Sequence, residues 1–164
     1  MMTVYTVIDS PIDALLLVGE RRPSGFVLTA VRVGEDHVQA GWRRVPEAFA
    51  AVERQLREYF AGERTTFDLT ISGGGTPFQE RVWAAIDAVP YGSTTTYGKL
   101  AEEVDAPRDR IRAVAAAVGA NPLLVIRPCH RVIGADGSLT GYAGGVERKH
   151  LLLAHEGALQ PLFL

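Results

Sequence analysis

Hydrophobic positions along the chain follow two different periods. Val4 to Ile8, Ala14 to Val18 and Phe26 to Val33 are short runs rich in β-branched and aliphatic residues. Gly19, Pro23-Ser24-Gly25 and Gly34 divide them, and the pattern predicts three strands. From Pro46 to Ala61 the spacing lengthens to that of a helix. Phe49, Val52, Leu56 and Phe60 (or Tyr59) make its apolar stripe, with Glu47, Glu53, Arg54, Arg57 and Glu58 on the wet side. Phe67, Leu69 and Ile71 alternate with polar residues, as one more half-buried strand should. Ser72-Gly73-Gly74-Gly75 then reads as a domain junction, because consecutive glycines hold regular structure poorly. A phosphate-cradling loop is the other reading, and it lacks the lysine and Ser/Thr such loops use.

Beyond the glycines the pattern turns helical. Thr76-Pro77-Phe78-Gln79 combines an N-cap, a proline at the first helical position and a capping-box partner. The helix it opens should run from Pro77 to Ala88, bury Phe78, Val82, Trp83 and Ile86, and stop before Pro90. Thr96 caps a second helix, Tyr97 to Val104, and Asp105-Ala106-Pro107 separates it from a third, Arg108 to Val118. A short connection of this kind is the outline of a helix-turn-helix. On the third helix Ile111, Val114, Ala115 and Val118 share one face, which predicts core packing, while Arg108, Arg112, Ala116 and Gly119 share another. Two arginines among very small side chains suit close approach to a nucleic-acid groove. Leu123 to Ile126 reads as a buried strand that Pro128 ends. Val146 to Glu156 reads as a last helix stopped by Gly157. The pattern as a whole predicts an α+β protein. Residues 1–74 form a small amino-terminal supporting domain with an antiparallel sheet, and residues 75–164 form a mainly helical domain carrying the helix-turn-helix.

Composition narrows this little. The chain has 164 residues, 47% of them hydrophobic and 22% charged, which is ordinary for a globular protein. A formal charge of −2 gives no overall attraction to DNA, so any basic footprint is local. No stretch is long and apolar enough for a membrane span, and Met1-Met2-Thr3-Val4 is no export leader. The expectation is a soluble protein of the cytoplasm.

The single cysteine excludes an internal disulfide and a cysteine-rich zinc site. It lies in Arg127-Pro128-Cys129-His130-Arg131-Val132. A lone cysteine is often a small buried hydrophobe. At the mouth of a strand and followed by charge, Cys129 reads better as a nucleophile. His130 can take its proton, and Arg127 and Arg131 favour the anion. Adjacent residues of an extended chain face opposite ways, so the pair meets directly only if the chain turns there; otherwise a water carries the proton. Glycines 134, 137, 141, 144 and 145 around Tyr142 make either a lid near the thiol or a plain turn. Glu156 sits against the dipole at a helix carboxyl end, so it is either solvated or held by a cation. Paired with His130, it would complete a nucleophile–base–orienter relay. His37 reads as a surface histidine.

Pro128-Cys129-His130-Arg131-Val132, with Asn121-Pro122 before it and Gly141-Tyr142-Ala143-Gly144-Gly145 and Leu151 to Gly157 after it, resembles the O6-alkylguanine-DNA alkyltransferases. The strong resemblance runs from about Thr76 to Gly157. It implies a two-domain protein that needs no cofactor or metal and binds double-stranded DNA through the minor groove. The alkylated base is flipped out, and its alkyl group passes once to a cysteine. Matching positions imply that Cys129 is the acceptor, His130 its base through water, Glu156 the holder of His130, and Asn121 the support of the turn. Arg112 falls on the arginine that fills the place of the flipped nucleotide. Tyr97 falls on the tyrosine that helps rotate it and protonates the leaving guanine. The Val132 carbonyl and the Ala143 amide fall on guanine-binding positions, and Tyr142 on the pocket wall. Gly144, Arg108, Ala113 and Ala116 complete the substrate- and DNA-facing set. O6-alkylguanine is the implied substrate, with O4-alkylthymine a further candidate, and the protein is expected to act as a monomer.

Three positions depart from the family. Arg127 replaces an apolar residue before Pro-Cys, Ala143 lacks a hydroxyl often present there, and Ile12-Asp13-Ala14 lacks the glycine that commonly follows the early Ser-Pro. A non-catalytic lesion-binding relative, a cysteine hydrolase and a plain helix-turn-helix regulator are the competing readings. The cysteine argues against the first, and the arginine-bearing helix has no task in the second.

Overall fold

The computed structural model describes residues 2–106 and 110–159. The chain forms two compact units, residues 1–74 and 75–164. In the first, β1 (Met2–Ile8), β2 (Leu15–Arg22), β3 (Gly25–Val33) and a short β4 (Arg43–Arg44) form one sheet in the order β3-β2-β1-β4. The pairs β1/β2 and β2/β3 are antiparallel, whereas β4 runs parallel to β1 through Val4↔Arg43 and Tyr5↔Arg44. The sheet is therefore mixed, where hairpin spacing alone predicts an antiparallel one. Leu15 to Gly19 are all buried, so the first part of this central strand has no wet face and does not alternate.

Gly19 does not end β2. The strand runs through it with a register shift at Val18/Gly19, and a Cβ at that position would run into the Phe26 ring. The predicted helix opens as a 3₁₀ turn at Pro46–Phe49 and continues as α1 (Ala50–Phe60). Its inward stripe is Phe49, Val52, Leu56 and Tyr59, with Phe60 only half-buried. Phe49 meets Phe26 edge to face at 5.0 Å. Phe67 to Ile71 is half-buried on alternate residues as its pattern predicts, but it is not a regular strand. Only Leu28↔Ile71 forms a bridge, with Leu28 N donating to Thr70 O and Ser72 N to Leu28 O. Earlier in the segment, the Gln55 amide both donates to Asp68 O (3.0 Å) and accepts from Asp68 N (2.9 Å), taking the place of a strand partner.

The second unit begins with α2 (Pro77–Asp87), whose capping box is complete. Gln79 N donates to Thr76 Oγ1 at 3.1 Å, and Thr76 N donates to Gln79 Oε1 at 2.9 Å. Thr96 caps α3 (Tyr97–Glu103), which closes on Asp105 with a left-handed φ of 55°. α4 spans Ile111–Gly119; the predicted start at Arg108 lies outside the described residues. α4 packs against both α2 and α3. Trp83 Nε1 donates to Ala117 O at 2.8 Å, pinning α4 to α2. Two-residue strands β5 (Thr95–Thr96) and β6 (Val132–Ile133) pair in parallel, and α5 (Val146–His155) follows. Among the described residues no helix is long and apolar enough to cross a membrane.

Candidate active site

The site begins with a turn that the sequence presents as a strand. Leu123, Leu124 and Val125 are buried as expected, but residues 123–127 form turns and an isolated bridge, and Cys129–Arg131 forms a 3₁₀ turn. Asn121 is the reason. Its Nδ2 lies 3.3 Å from Leu123 O, 3.3 Å from Arg127 O and 3.2 Å from Cys129 Sγ, while its Oδ1 accepts from Leu123 N at 3.0 Å. One buried amide thus satisfies backbone groups that a ladder would otherwise have taken. The turn requires a left-handed Val125 (φ 69°), a conformation a β-branched residue adopts only when its surroundings impose it.

Cys129 is 4% exposed, yet its side chain forms part of the wall of a cavity of about 570 Å³. Tyr97 from α3 and Ile111, Arg112, Ala115 and Gly119 from α4 line one side, and Thr140 to Ala143 line the other. Ile111 and Ala115 therefore face this cavity rather than the core. The buried face of α4 is Val114, Ala117 and Val118, because α2 claims the side around Ala117.

Behind the thiol lies a buried charged cluster. His130 Nε2 is 2.8 Å from Glu156 Oε2, and Arg131 donates from Nε (2.7 Å) and Nη2 (3.0 Å) to the same carboxylate. Arg131 Nη1 also donates to Val89 O at 2.7 Å. Of the two readings open for Glu156, the structure shows the one in which a cation holds it. A carboxylate facing Nε2 favours the tautomer with its proton there, leaving Nδ1 as the basic atom. Nδ1 is buried and has no hydrogen-bond partner among the described residues. Burial lowers the His130 pKa against the opposing pull of Glu156, so the ring is neutral at pH 7. Cys129 and His130 are not hydrogen-bonded to one another, although the chain turns between them.

Burial also raises the Cys129 pKa, with the Asn121 hydrogen bond and then the Lys149 charge pulling it down. The resting group is a thiol. Arg127 and Arg131 are not the main source of positive field that their adjacency suggests. Arg127 turns inward, stacking over Trp83 at 4.9 Å and bonding Asp87 Oδ1 at 3.3 Å, and its charge acts on the thiol less than that of Lys149. Arg131 is committed to Glu156.

Other expected positions are distributed as follows. Tyr97 Oη accepts from Thr140 Oγ1 at 3.2 Å. Tyr142 is edge-on to His130 with 6.5 Å between centroids; its hydroxyl is enclosed with no partner among the described residues, and burial raises its pKa well above the ordinary value. Ala143 lines the cavity. Val132 does not line it; it is buried in the β5/β6 pair opposite Thr95. Gly144 is buried and its carbonyl accepts from Arg148 Nη1. Ala116 is exposed and Ala113 half-buried, both on α4 away from the cavity lining. Arg108 lies outside the described residues.

Lys149 is absent from the residues that spacing points to, though a signal for it was present. Lys149, Leu152 and Leu153 of α5 and its C-cap Glu156 fall at i, i+3, i+4 and i+7, and all four are buried. A lysine and a glutamate inside an apolar stripe mark charges held for a purpose.

Two family models cover nearly the whole chain. Residues 77–158 match the 6-O-methylguanine DNA methyltransferase, DNA binding domain, and residues 3–72 match the ribonuclease-like domain of the same family. The chain belongs to this family. A methylated-DNA–protein-cysteine methyltransferase of Mycolicibacterium paratuberculosis is 47% identical over 166 residues, covering 99% of this chain and 98% of that one. One from Methanosarcina acetivorans is 42% identical over 154 residues, covering 94% and 98%. The crystal structure of Mycobacterium tuberculosis OGT in complex with DNA superposes with a TM-score of 0.86 at 47% identity, covering 94% of this chain and 93% of that chain. The α+β architecture of this alkyltransferase chain is thus that of its relatives. The geometry of Cys129, His130 and Glu156 sits in the part that matches the DNA-binding domain model.

Proposed function

We propose that this protein repairs DNA by direct reversal, taking the alkyl group from O6-alkylguanine, with O4-alkylthymine a further candidate, onto Cys129. One observation carries the reading: the only thiol stands in the wall of a cavity, with a neutral imidazole and its carboxylate partner enclosed behind it. In the transfer, Cys129 gives its proton through a water to His130 Nδ1, and the charge formed on the ring is held by Glu156. The sulfur then attacks the alkyl carbon, the carbon–O6 bond breaks, the restored guanine takes a proton from Tyr97, and the proton held on His130 returns through water to the Tyr97 oxygen. Because Tyr97 Oη accepts from Thr140, its own hydrogen is free for that donation. The thioether formed does not hydrolyse under ordinary conditions, so each molecule acts once.

The DNA-facing surface of this reading is α4. Arg112 at the cavity, with small side chains at Ala113, Ala116 and Gly119, lets the helix enter a minor groove while the arginine fills the space of an everted nucleotide. Arg108 would extend that surface. The Val132 carbonyl and the Ala143 amide are assigned to the guanine edge, Asn121 to the support of the acceptor turn, and Gly144 to the loop above it. Residues 1–74 act as a supporting domain for 75–164. The protein works as a monomer in the cytoplasm, where a reducing environment keeps a lone thiol free.

Mass spectrometry after incubation with an O6-methylguanine duplex tests the reading. The Cys129 peptide should gain about 14 Da, one transferred methylene, stoichiometrically, with none on a Cys129→Ser variant. An unmodified Cys129 peptide beside intact lesion rejects it.

A further inference from the structure

Lys149 is 1% exposed, and among the described residues no carboxylate forms an ion pair with it. Among the described residues its ammonium donates to backbone carbonyls alone, Thr140 O at 2.8 Å and Gly141 O at 3.3 Å. A buried cation is unfavourable without an anion, so a lysine retained in this position needs a negative partner from elsewhere. The carbonyls it bonds belong to the segment that lines the cavity opposite α4, and the same segment is fastened twice more. Arg148 Nη1 donates to Gly144 O at 2.9 Å, and Gly145 N donates to Tyr142 O at 2.9 Å. The first two turns of α5 therefore clamp one wall of the cavity, and the buried member of the clamp is also the cation whose field acts most on Cys129.

We infer that Lys149 is a positioning residue for alkyl transfer, holding the 140–143 wall in place and serving as the counter-charge of the Cys129 thiolate as it forms. The negative partner missing from the resting state is the sulfur itself. Burial lowers the Lys149 pKa to about 8, with Cys129 pulling it back up, so the ammonium is present at neutral pH and is reinforced when the thiol ionises. Around these two groups, α5 also brings Glu156, the 3₁₀ turn brings His130 and Arg131, Arg127 stands just before the cysteine, and Tyr142 faces it from the loop. Glu156 and Arg131 neutralise one another, and His130 is uncharged at rest. Arg112 and Tyr97 line the cavity beside Cys129 as well, Arg112 from the exposed side of α4. Lys149 is the buried cation of the group for which the described residues supply no carboxylate.

The inference rests on the alkyl-transfer reading, and its test is chosen to fail separately. Cys129 alkylation by iodoacetamide needs no DNA, and its rate against pH reads the thiol's ionisation midpoint directly. The comparison uses the full-length protein with Lys149→Arg, Lys149→Gln and Lys149→Met. Arginine keeps the charge; glutamine keeps the ability to donate to Thr140 O without charge; methionine keeps only the apolar bulk. The midpoint should stay near the wild-type value with arginine and rise by about one pH unit or more with glutamine and methionine, a tenfold loss of thiolate at a given pH. Transfer from an O6-methylguanine duplex at pH 7 should fall about tenfold in the uncharged pair and recover most of its rate with arginine. If methionine at this position prevents folding, as seen by circular dichroism, glutamine alone decides. A midpoint unmoved in a folded uncharged variant overturns the inference. Wild-type protein that reacts with iodoacetamide but leaves O6-methylguanine intact instead rejects the function and not the role of the lysine.

Discussion

Glu156 is the residue on which most of the buried charge converges. His130 Nε2, Arg131 Nε and Arg131 Nη2 all lie within 3.0 Å of its oxygens. Replacing it by glutamine leaves Arg131 buried without its anion, a change of the kind that costs about 3–5 kcal/mol when one partner of a buried pair is removed. Glu156→Gln should accordingly show a lowered urea midpoint with an unchanged m-value, and slower alkyl transfer because imidazolium is no longer stabilised. The pairing of His130 with Glu156 was legible in the sequence as a relay between a base and an orienter. The part played by Arg131 was not, since adjacency to Cys129 suggested a cation for the sulfur. Only the return of α5 past the 3₁₀ turn gives that guanidinium a nearer anion. Asn121 shows the same limit. Its position before Pro122 marks a turn, but nothing local says that one side chain bonds two carbonyls and the thiol.

At the scale of elements, caps and periods decided most of what formed. Thr76 and Gln79 announced α2 and are found in reciprocal hydrogen bonds. Thr76→Ala should therefore lower stability by about 1 kcal/mol in thermal or denaturant unfolding, with alkyl transfer at saturating DNA unchanged. α4 illustrates where periodicity runs out. Ile111, Val114, Ala115 and Val118 are one stripe by spacing, yet Val114 and Ala117 are buried beside α2 while Ile111, Ala115 and an edge of Val118 face the cavity. Which part of an apolar stripe becomes core depends on the neighbour that reaches it first. Arg112 lies on the cavity lining next to these residues. Arg112→Ala should slow repair of duplex DNA by about tenfold or more, because the cost of unstacking the base is no longer offset. The same lesion in a single strand should be repaired at nearly the wild-type rate. Equal rates on duplex DNA for variant and wild type would remove α4 from the reading.

The whole molecule carries the burial of its site as a pH dependence. The folded state keeps His130 neutral below its ordinary pKa, whereas the unfolded chain protonates it as pH falls through about 6.5. The unfolded state then binds more protons, so stability should drop between about pH 7 and pH 5. The melting temperature followed across that range should show the drop, and His130→Gln should flatten part of it. A variant as acid-sensitive as the wild type places the effect on other groups. The separation into units 1–74 and 75–164 bears on the same point, because Asn121, Lys149 and Arg127, which lower the thiol's pKa against burial, all lie in the second unit. The first unit has a sheet and helix of its own, with Leu15 to Gly19 of its central strand buried.

The chain by itself determined the strands β1 to β3, the helices α1 to α5 and the caps that start α2 and α3, and it singled out Cys129, His130 and Glu156 as candidates for chemistry, with Asn121 added by the family resemblance. These follow from spacing over a few residues, which is what local backbone geometry and a short motif encode. Tertiary structure alone decided that Leu123 to Ile126 turns rather than extends, that β4 makes the sheet mixed, that Cys129 rests as a thiol, and that a buried lysine of α5 bonds the cavity wall beside it. Burial and electric field at one atom are sums over groups far apart in sequence, and no pattern along the chain contains those distances.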